Sequence, residues 1–201
     1  MHGKEQHYQH SNMIEINMFW MGNENNLTQY CINSFVNNGY IVNVWSYQRL
    51  SFINCIIKDA NEIINYSDLP NELLSYFDIS DWFRINLIYK IGGYYSDTDN
   101  YCLARFDEFN DSELVVRFGK SGFMFNNCFF RFSSGSKYLK YCIDNYQFNL
   151  NDMGYAQFHK AIKEHENELI VVDSTVLSQM LPCDSISEST IIIHLTNATN
   201  I

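Results

Sequence analysis

The chain has 201 residues, 46% of them hydrophobic, which suffices for one domain with a sizeable core and leaves no comfortable room for a second. A formal net charge of −10 argues against nucleic-acid binding, which wants a basic stripe, and weakens docking onto anionic lipid through charge alone. No apolar stretch is long enough to span a bilayer and no signal peptide is recognisable, so cytoplasmic residence is expected, with any membrane association peripheral and at the inner face.

In chain order, residues Met1 to Asn12 hold His2, His7 and His10 and are expected to be a disordered leader or tag, leaving 13–201 as the folded domain. Alternating apolar residues predict a strand over Ile14 to Trp20, a helix over about Asn25 to Asn38 and a strand over Tyr40 to Trp45. Helices are predicted over about Ser51 to Tyr66 and over Asn71 to Ile91, the second stopped by Gly92-Gly93. A strand near Tyr94 to Cys102 follows, then strands over Leu114 to Phe118 and Phe123 to Phe125. Helices near Lys137 to Asn145 and Gly154 to Glu166 and short strands at Leu169 to Asp173 and Thr190 to Leu195 complete the list. Alternating β and α elements of this kind predict an α/β fold with a mixed, mostly parallel sheet flanked by helices. The six cysteines carry no Cys-x-x-Cys pair and sit mostly among apolar neighbours, so they are read as reduced core residues, with neither disulfides nor zinc expected.

Chemistry concentrates in one run. Asp81 and Arg84 lie three residues apart and so share a helix face; the Gly92-Gly93 pair then leads through Tyr94-Tyr95 to Asp97-Thr98-Asp99. On an extended backbone alternate side chains share a face, which would direct Asp97 and Asp99 the same way. Two adjacent carboxylates repel unless something positive lies between them, and a hard divalent cation with oxygen ligands is the simplest candidate. Asp-Thr-Asp alone would equally suit an exposed acidic turn, and Arg84 with Asp81 would equally form a plain ion pair. In a sheet of this kind ligands gather beyond the carboxyl ends of the strands, which puts Phe19, Trp20, Trp45, Asp97 and Asp99 around one pocket, with Phe19 and Trp20 available to stack on a base.

The pattern Ser-Asp-x-x-Arg, Leu-x-Tyr-Lys-x-Gly-Gly-x-Tyr, Asp-x-Asp over residues 80–99 resembles the sugar-binding DXD region of glycosyltransferases, family thirty-two in particular. Ile14 to Gly22 is similar to the first strand of that family with its Trp-x-Gly turn, Gln29 to Phe35 to the helix after it, Tyr40 to Trp45 to the second strand, and Gly122 to Asn126 to the segment after the metal strand. His194 falls where a C-terminal His completes the metal site, although the Ser-Trp usual after it is replaced by Leu195 to Asn200, and Ser134 to Lys137 stands where relatives have a Gly-His pair. The resemblance implies a single GT-A domain that moves a sugar, with retention, from a nucleotide-diphosphate sugar to the hydroxyl of a glycan or lipid-linked acceptor, in surface polysaccharide or glycan synthesis. It implies Mn2+ or Mg2+ on Asp99, Asp97 and His194, and donor contacts from Phe19, Trp20, Asp81, Arg84, Gly92, Gly93 and Tyr95, with the acceptor side lined by Gly122 to Asn145 and its aromatics Phe123, Phe125, Phe129 and Phe130. A catalytically degenerate sugar-nucleotide or carbohydrate-binding domain and a metal-dependent hydrolase are the rival readings.

Overall fold

The computed structural model describes residues 13–73, 75–117, 124–147, 154–177, 179–180 and 186–195. In chain order the elements are β1 (Glu15–Phe19), α1 (Asn26–Asn37), β2 (Ile41–Ser46), β3 (Ile56–Asp59), α2 (Tyr76–Ile91), β4 (Gly93–Ser96), β5 (Asn100–Cys102), β6 (Leu114–Arg117), β7 (Phe125–Phe132), α3 (Lys137–Asp144), α4 (Gly154–Lys163), β8 (Ile170–Asp173), β9 (Gln179–Met180) and β10 (Ile192–His194). A sheet in the order β3-β2-β1-β4-β7-β6-β8 forms the middle layer, and a smaller sheet in the order β5-β10-β9 lies beside it. Among the described strands of the large sheet, β7 runs antiparallel to β4 and β6, while the other neighbours pair in parallel.

Strand periodicity sorts the core into two halves. Ile16, Met18, Val42, Val44 and Tyr94 face α1 and the small sheet, packing with Ile32, Phe35, Phe106 and Ile192. Phe19, Trp45, Tyr95, Val115, Phe130 and Phe132 face the opposite way, onto Phe83 and Leu87 of α2, Leu139 of α3 and Phe158 of α4. Each fully buried aromatic contributes about 2 kcal/mol by area, so the Phe-rich β7 is the chief apolar contributor to the helical side. Four parallel strands, β3, β2, β1 and β4, therefore end along one edge of the sheet, and the loops after β1 and β4 meet there.

Several predicted elements come out differently. Ser51 to Tyr66 is not a helix: Ile56 and Ile57 pair in parallel with β2 as an edge strand, Asn54 takes a left-handed conformation (φ 61°), and single 3-10 turns cover Ala60–Glu62 and Tyr66–Asp68. β-branched residues beside an open sheet edge gain ladder hydrogen bonds that a lone surface helix would not supply. The helix expected from Asn71 begins at Tyr76, because Ser75 and Asp78 form a capping box that fixes its first turn. The strand expected over Tyr94 to Cys102 is split between the two sheets by a turn at 97–99. β7 continues to Phe132, well beyond the short piece predicted, while Phe118 and Phe123 lie outside the described residues. The leader over 1–12 also lies outside them. Among the described residues no helix is long and apolar enough to cross a membrane.

Candidate metal and sugar-nucleotide site

The site forms where β4 ends. Asp97 donates its backbone N–H to Cys128 O of β7 (2.7 Å), and Asn100 donates its N–H back to Asp97 O (3.2 Å), so the chain turns instead of continuing extended. Asn100, fully buried, pins the turn from inside by donating Nδ2 to Ser96 Oγ (3.1 Å) and Cys128 O (2.8 Å). This corrects the expected geometry of Asp97 and Asp99: the turn, not strand alternation, sets their directions. β5 then carries the chain into the small sheet, where Asn100 faces His194 of β10 in register and Leu195 N–H donates to Asp99 O (2.9 Å). The pairing brings His194 Nε2 to 3.1 Å from Asp99 Oδ1.

Behind the turn lies Arg84, 6% exposed. Nη1 donates to Asp97 Oδ2 (3.2 Å) and Asn127 O (2.9 Å), Nη2 to Ser80 Oγ (2.8 Å) and Nε to Ser80 O (3.2 Å), while the guanidinium pairs ionically with Asp97 Oδ1 (3.0 Å) and Asp81 Oδ1 (3.2 Å). Its Cζ sits 4.9 Å from the centre of the Tyr95 ring, and Tyr95 donates its hydroxyl to Asp97 Oδ1 (3.0 Å). Asp81 also accepts from Asn127 Nδ2 (2.8 Å). Held this way within the protein, Arg84 braces Asp81 and Asp97, the ion-pair role that the sequence offered beside a donor contact. Tyr95, fully buried, likewise acts from behind Asp97.

Ser80, Asn127 and Cys128 were not singled out by the sequence. Between Val115, paired with Phe130, and Val116, paired with Asn126, the β6–β7 register jumps, so residues 127–129 bulge out of the ladder on that side. A bulge re-aims side chains beside a site. Here it presents Asn127 to Asp81 and Arg84, and it brings the Cys128 thiol alongside Asp97 and His194. The polar run Asn126-Asn127-Cys128 inside an otherwise phenylalanine-rich strand was the available signal.

Other expected contacts are placed elsewhere. Phe19 is 4% exposed, its ring 4.4 Å from Phe83 in the core, and so has no face open to a base. Trp45 is buried and donates Nε1 to Asn17 Oδ1 (2.9 Å). Trp20, partly exposed at the end of β1, keeps its Nε1 buried without a hydrogen-bond partner. Gly92 and Gly93 stand at the opposite end of β4, roughly 13–17 Å along the chain from Asp97. There Gly92 ends α2 at φ 73°, and a Cβ would come 2.7 Å from Ser134 N. Phe125, Phe129 and Phe130, which suit either an acceptor-side face or a core strand, are core residues. A cavity of about 480 Å3 between α3 and α4, lined in part by Tyr141, Asn145 and His159, shares no residue with the acidic cluster.

The electrostatics favour a cation. Burial pushes the Asp97 carboxyl up to about 6 despite Arg84, with Asp99 adding to the rise. Burial acts to lower His194, but the Cys128 and Asp99 side chains outweigh it and raise the imidazole to about 11. A group that is drawn towards its charged form in a buried place marks where positive charge is wanted. The residues fit a divalent ion: Asp97, Cys128 and His194 each offer a ligand atom within 4.8 Å of the others, and His194 Nδ1 is buried with no hydrogen-bond partner.

Residues 21–116 match the family described as glycosyltransferase sugar-binding region containing DXD motif. The fold is similar to that of PaToxG glycosyltransferase (TM-score 0.56, 19% identity, 76% of this chain and 69% of that chain). It is also similar to a glycosyltransferase involved in the glycosylation of the major capsid of PBCV-1 (TM-score 0.58, 12% identity, 94% and 96%). The apo-form glycosyltransferase GlyE of Streptococcus pneumoniae TIGR4 is similar at TM-score 0.50 and 9% identity, over 81% of this chain and 46% of that one. At these identities the likeness to solved structures is one of fold. Among curated proteins no sequence matches. Residues 21–116 thus resemble the DXD-containing sugar-binding region of glycosyltransferases, on a fold of the GT-A type.

Proposed function

We propose that this chain transfers a sugar from a nucleotide-diphosphate donor to an acceptor hydroxyl, with retention, using Mn2+ or Mg2+ held by Asp97, Asp99 and His194. The observation that carries the reading is the convergence on His194 of Asp97, with a ligand atom within 4.8 Å, and of Asp99, at 3.1 Å, with Arg84 bracing Asp97 from behind. A bound divalent cation supplies a Lewis acid opposite the charge that grows on a departing diphosphate oxygen. The protein's own part is to fix Asp97 through Arg84 and Tyr95, Arg84 opposing the upward push of burial on its carboxyl, and to place Asp99 beside His194 through the β5–β10 pairing. Trp20 has a buried, unpartnered N–H and a partly exposed ring at the sheet edge, which suits a nucleobase. Asp81, its carboxylate 17% exposed and tied to Asn127 and Arg84, is the residue left to accept from a donor-sugar hydroxyl. A glycan or lipid-linked acceptor, and a role in surface polysaccharide or glycan synthesis at the cytoplasmic face of a membrane, extend this reading.

A thermal-shift panel of uridine- and guanosine-diphosphate sugars, with and without Mn2+, tests it, since a ligand of the folded state raises Tm. A manganese-dependent rise with one nucleotide class, lost in Asp99→Ala, together with release of free nucleotide diphosphate, is expected. Binding without turnover points to a degenerate binding domain, and no shift with any donor removes the proposal.

A further inference from the structure

Cys128 is set apart from the other described cysteines by its place. It lies in the β7 bulge, 2% exposed, and its peptide is fixed from three sides. Its carbonyl accepts from Asp97 N–H (2.7 Å) and Asn100 Nδ2 (2.8 Å), and its N–H donates to Asn126 Oδ1 (2.8 Å). A peptide held this way leaves the thiol little choice of position, and that position is within 4.8 Å of ligand atoms on both Asp97 and His194. Cys142, by contrast, is buried on α3 among apolar residues of the helical core.

We infer that Cys128 is a sulfur donor to the cation of this site, making it a mixed oxygen, nitrogen and sulfur centre that prefers borderline cations such as Co2+ and Zn2+ to Mg2+. The inference rests on the proposed reading of Asp97 and His194 as cation ligands. A hard ion such as Mg2+ keeps oxygen ligands and water, whereas a thiolate strengthens binding of softer ions. When the metal–sulfur bond forms, the S–H bond breaks heterolytically, its proton goes to buffer, and the ion gives up one bound water. No electron changes hands.

The test is a Co2+ titration of the full chain followed by near-ultraviolet absorption, where sulfur ligation gives a charge-transfer band that oxygen and nitrogen ligands do not. The band is expected in the wild type and in Cys142→Ser, and is expected to vanish in Cys128→Ser and Cys128→Ala. Calorimetry should show Co2+ binding weakened about tenfold or more in Cys128→Ser, with Mg2+ binding unchanged. Should the variants fail to fold, X-ray absorption at the zinc edge of the wild type decides: one sulfur neighbour at about 2.3 Å is expected. His2, His7 and His10 bring nitrogen but no sulfur, so they cannot imitate that signal. Cation binding without a band or a sulfur neighbour overturns the role of Cys128 and leaves the Asp97–His194 reading standing. A band that persists in Cys128→Ser overturns it too, and failure to bind any divalent cation overturns both.

Discussion

Replacing Arg84 by methionine keeps most of the side chain's length and removes its charge. Asp97 and Asp81 would then lose the cation that lies 3.0 and 3.2 Å from them, and Asn127 O and Ser80 Oγ would lose their donor. Arg84 is 6% exposed, so little water reaches the gap. Removing one partner of a buried ion pair costs roughly 3–5 kcal/mol. For a domain of this size about 2–4 °C of Tm accompanies each kcal/mol, so a fall of roughly 6–20 °C is expected in cation-free buffer at pH 8. The pH dependence has a definite sign. Arg84 opposes the burial that pushes the folded Asp97 carboxyl up to about 6, so without Arg84 that carboxyl titrates higher; the penalty is smallest below pH 6, where Asp97 is neutral in both proteins, and grows as pH rises above 6. Arg84→Lys, which keeps the charge and loses the forked geometry, should fall between the wild type and the methionine variant. Differential scanning fluorimetry from pH 5 to 8 measures all three. A loss below about 1 kcal/mol in Arg84→Met, or one that does not vary with pH, would refute the account of Arg84 as the brace of the two carboxylates.

Three further outcomes are expected. Gly92→Ala places a Cβ 2.7 Å from Ser134 N at φ 73° and should cost roughly 2–4 kcal/mol in urea unfolding, whereas Gly135→Ala, at φ 72° with open space around it, should cost only about 1 kcal/mol; equal losses would show that the contact with Ser134 does not matter. Burial pushes the thiols of Cys31, Cys102 and Cys142 up to about 12 and that of Cys55 up to about 11, so at pH 8 no more than two of the six cysteines should react quickly with a disulfide reagent before denaturation. Because His194 is raised to about 11 and a metal takes the neutral ring, Mn2+ binding at pH 8 should release at least one proton and tighten with rising pH; calorimetry in two buffers of different ionisation enthalpy reads this, and zero release would remove His194 from the ligand set.

Local rules made much of the architecture legible in the chain. The apolar runs at Ile14 to Trp20 and Tyr40 to Trp45, and the apolar helix closed by Gly92, showed their element types in the residue pattern. The co-facial Asp81 and Arg84 were visible because helical spacing fixes direction, whereas for Asp97 and Asp99 spacing showed the pair and the turn set the directions. The segment 51–66 misled because Ile56 and Ile57 suit a helix or a strand equally, and an open edge beside β2 decided between them. Likewise Phe19 looked like a base platform because sequence cannot tell which side of the sheet its ring takes, and Phe83 claims it.

What the sequence by itself determined is that two carboxylates follow a glycine-stopped helix in a parallel α/β chain. Only the tertiary structure decided what stands around them. A turn replaced the extended strand, β5–β10 pairing carried His194 across almost a hundred residues to Asp99, and a register jump in β7 turned Asn127 and Cys128 towards the carboxylates. Those contacts join segments remote in sequence, and their geometry depends on which strands pair and in what register. No local spacing encodes that choice, because it comes from burying both faces of one sheet at once.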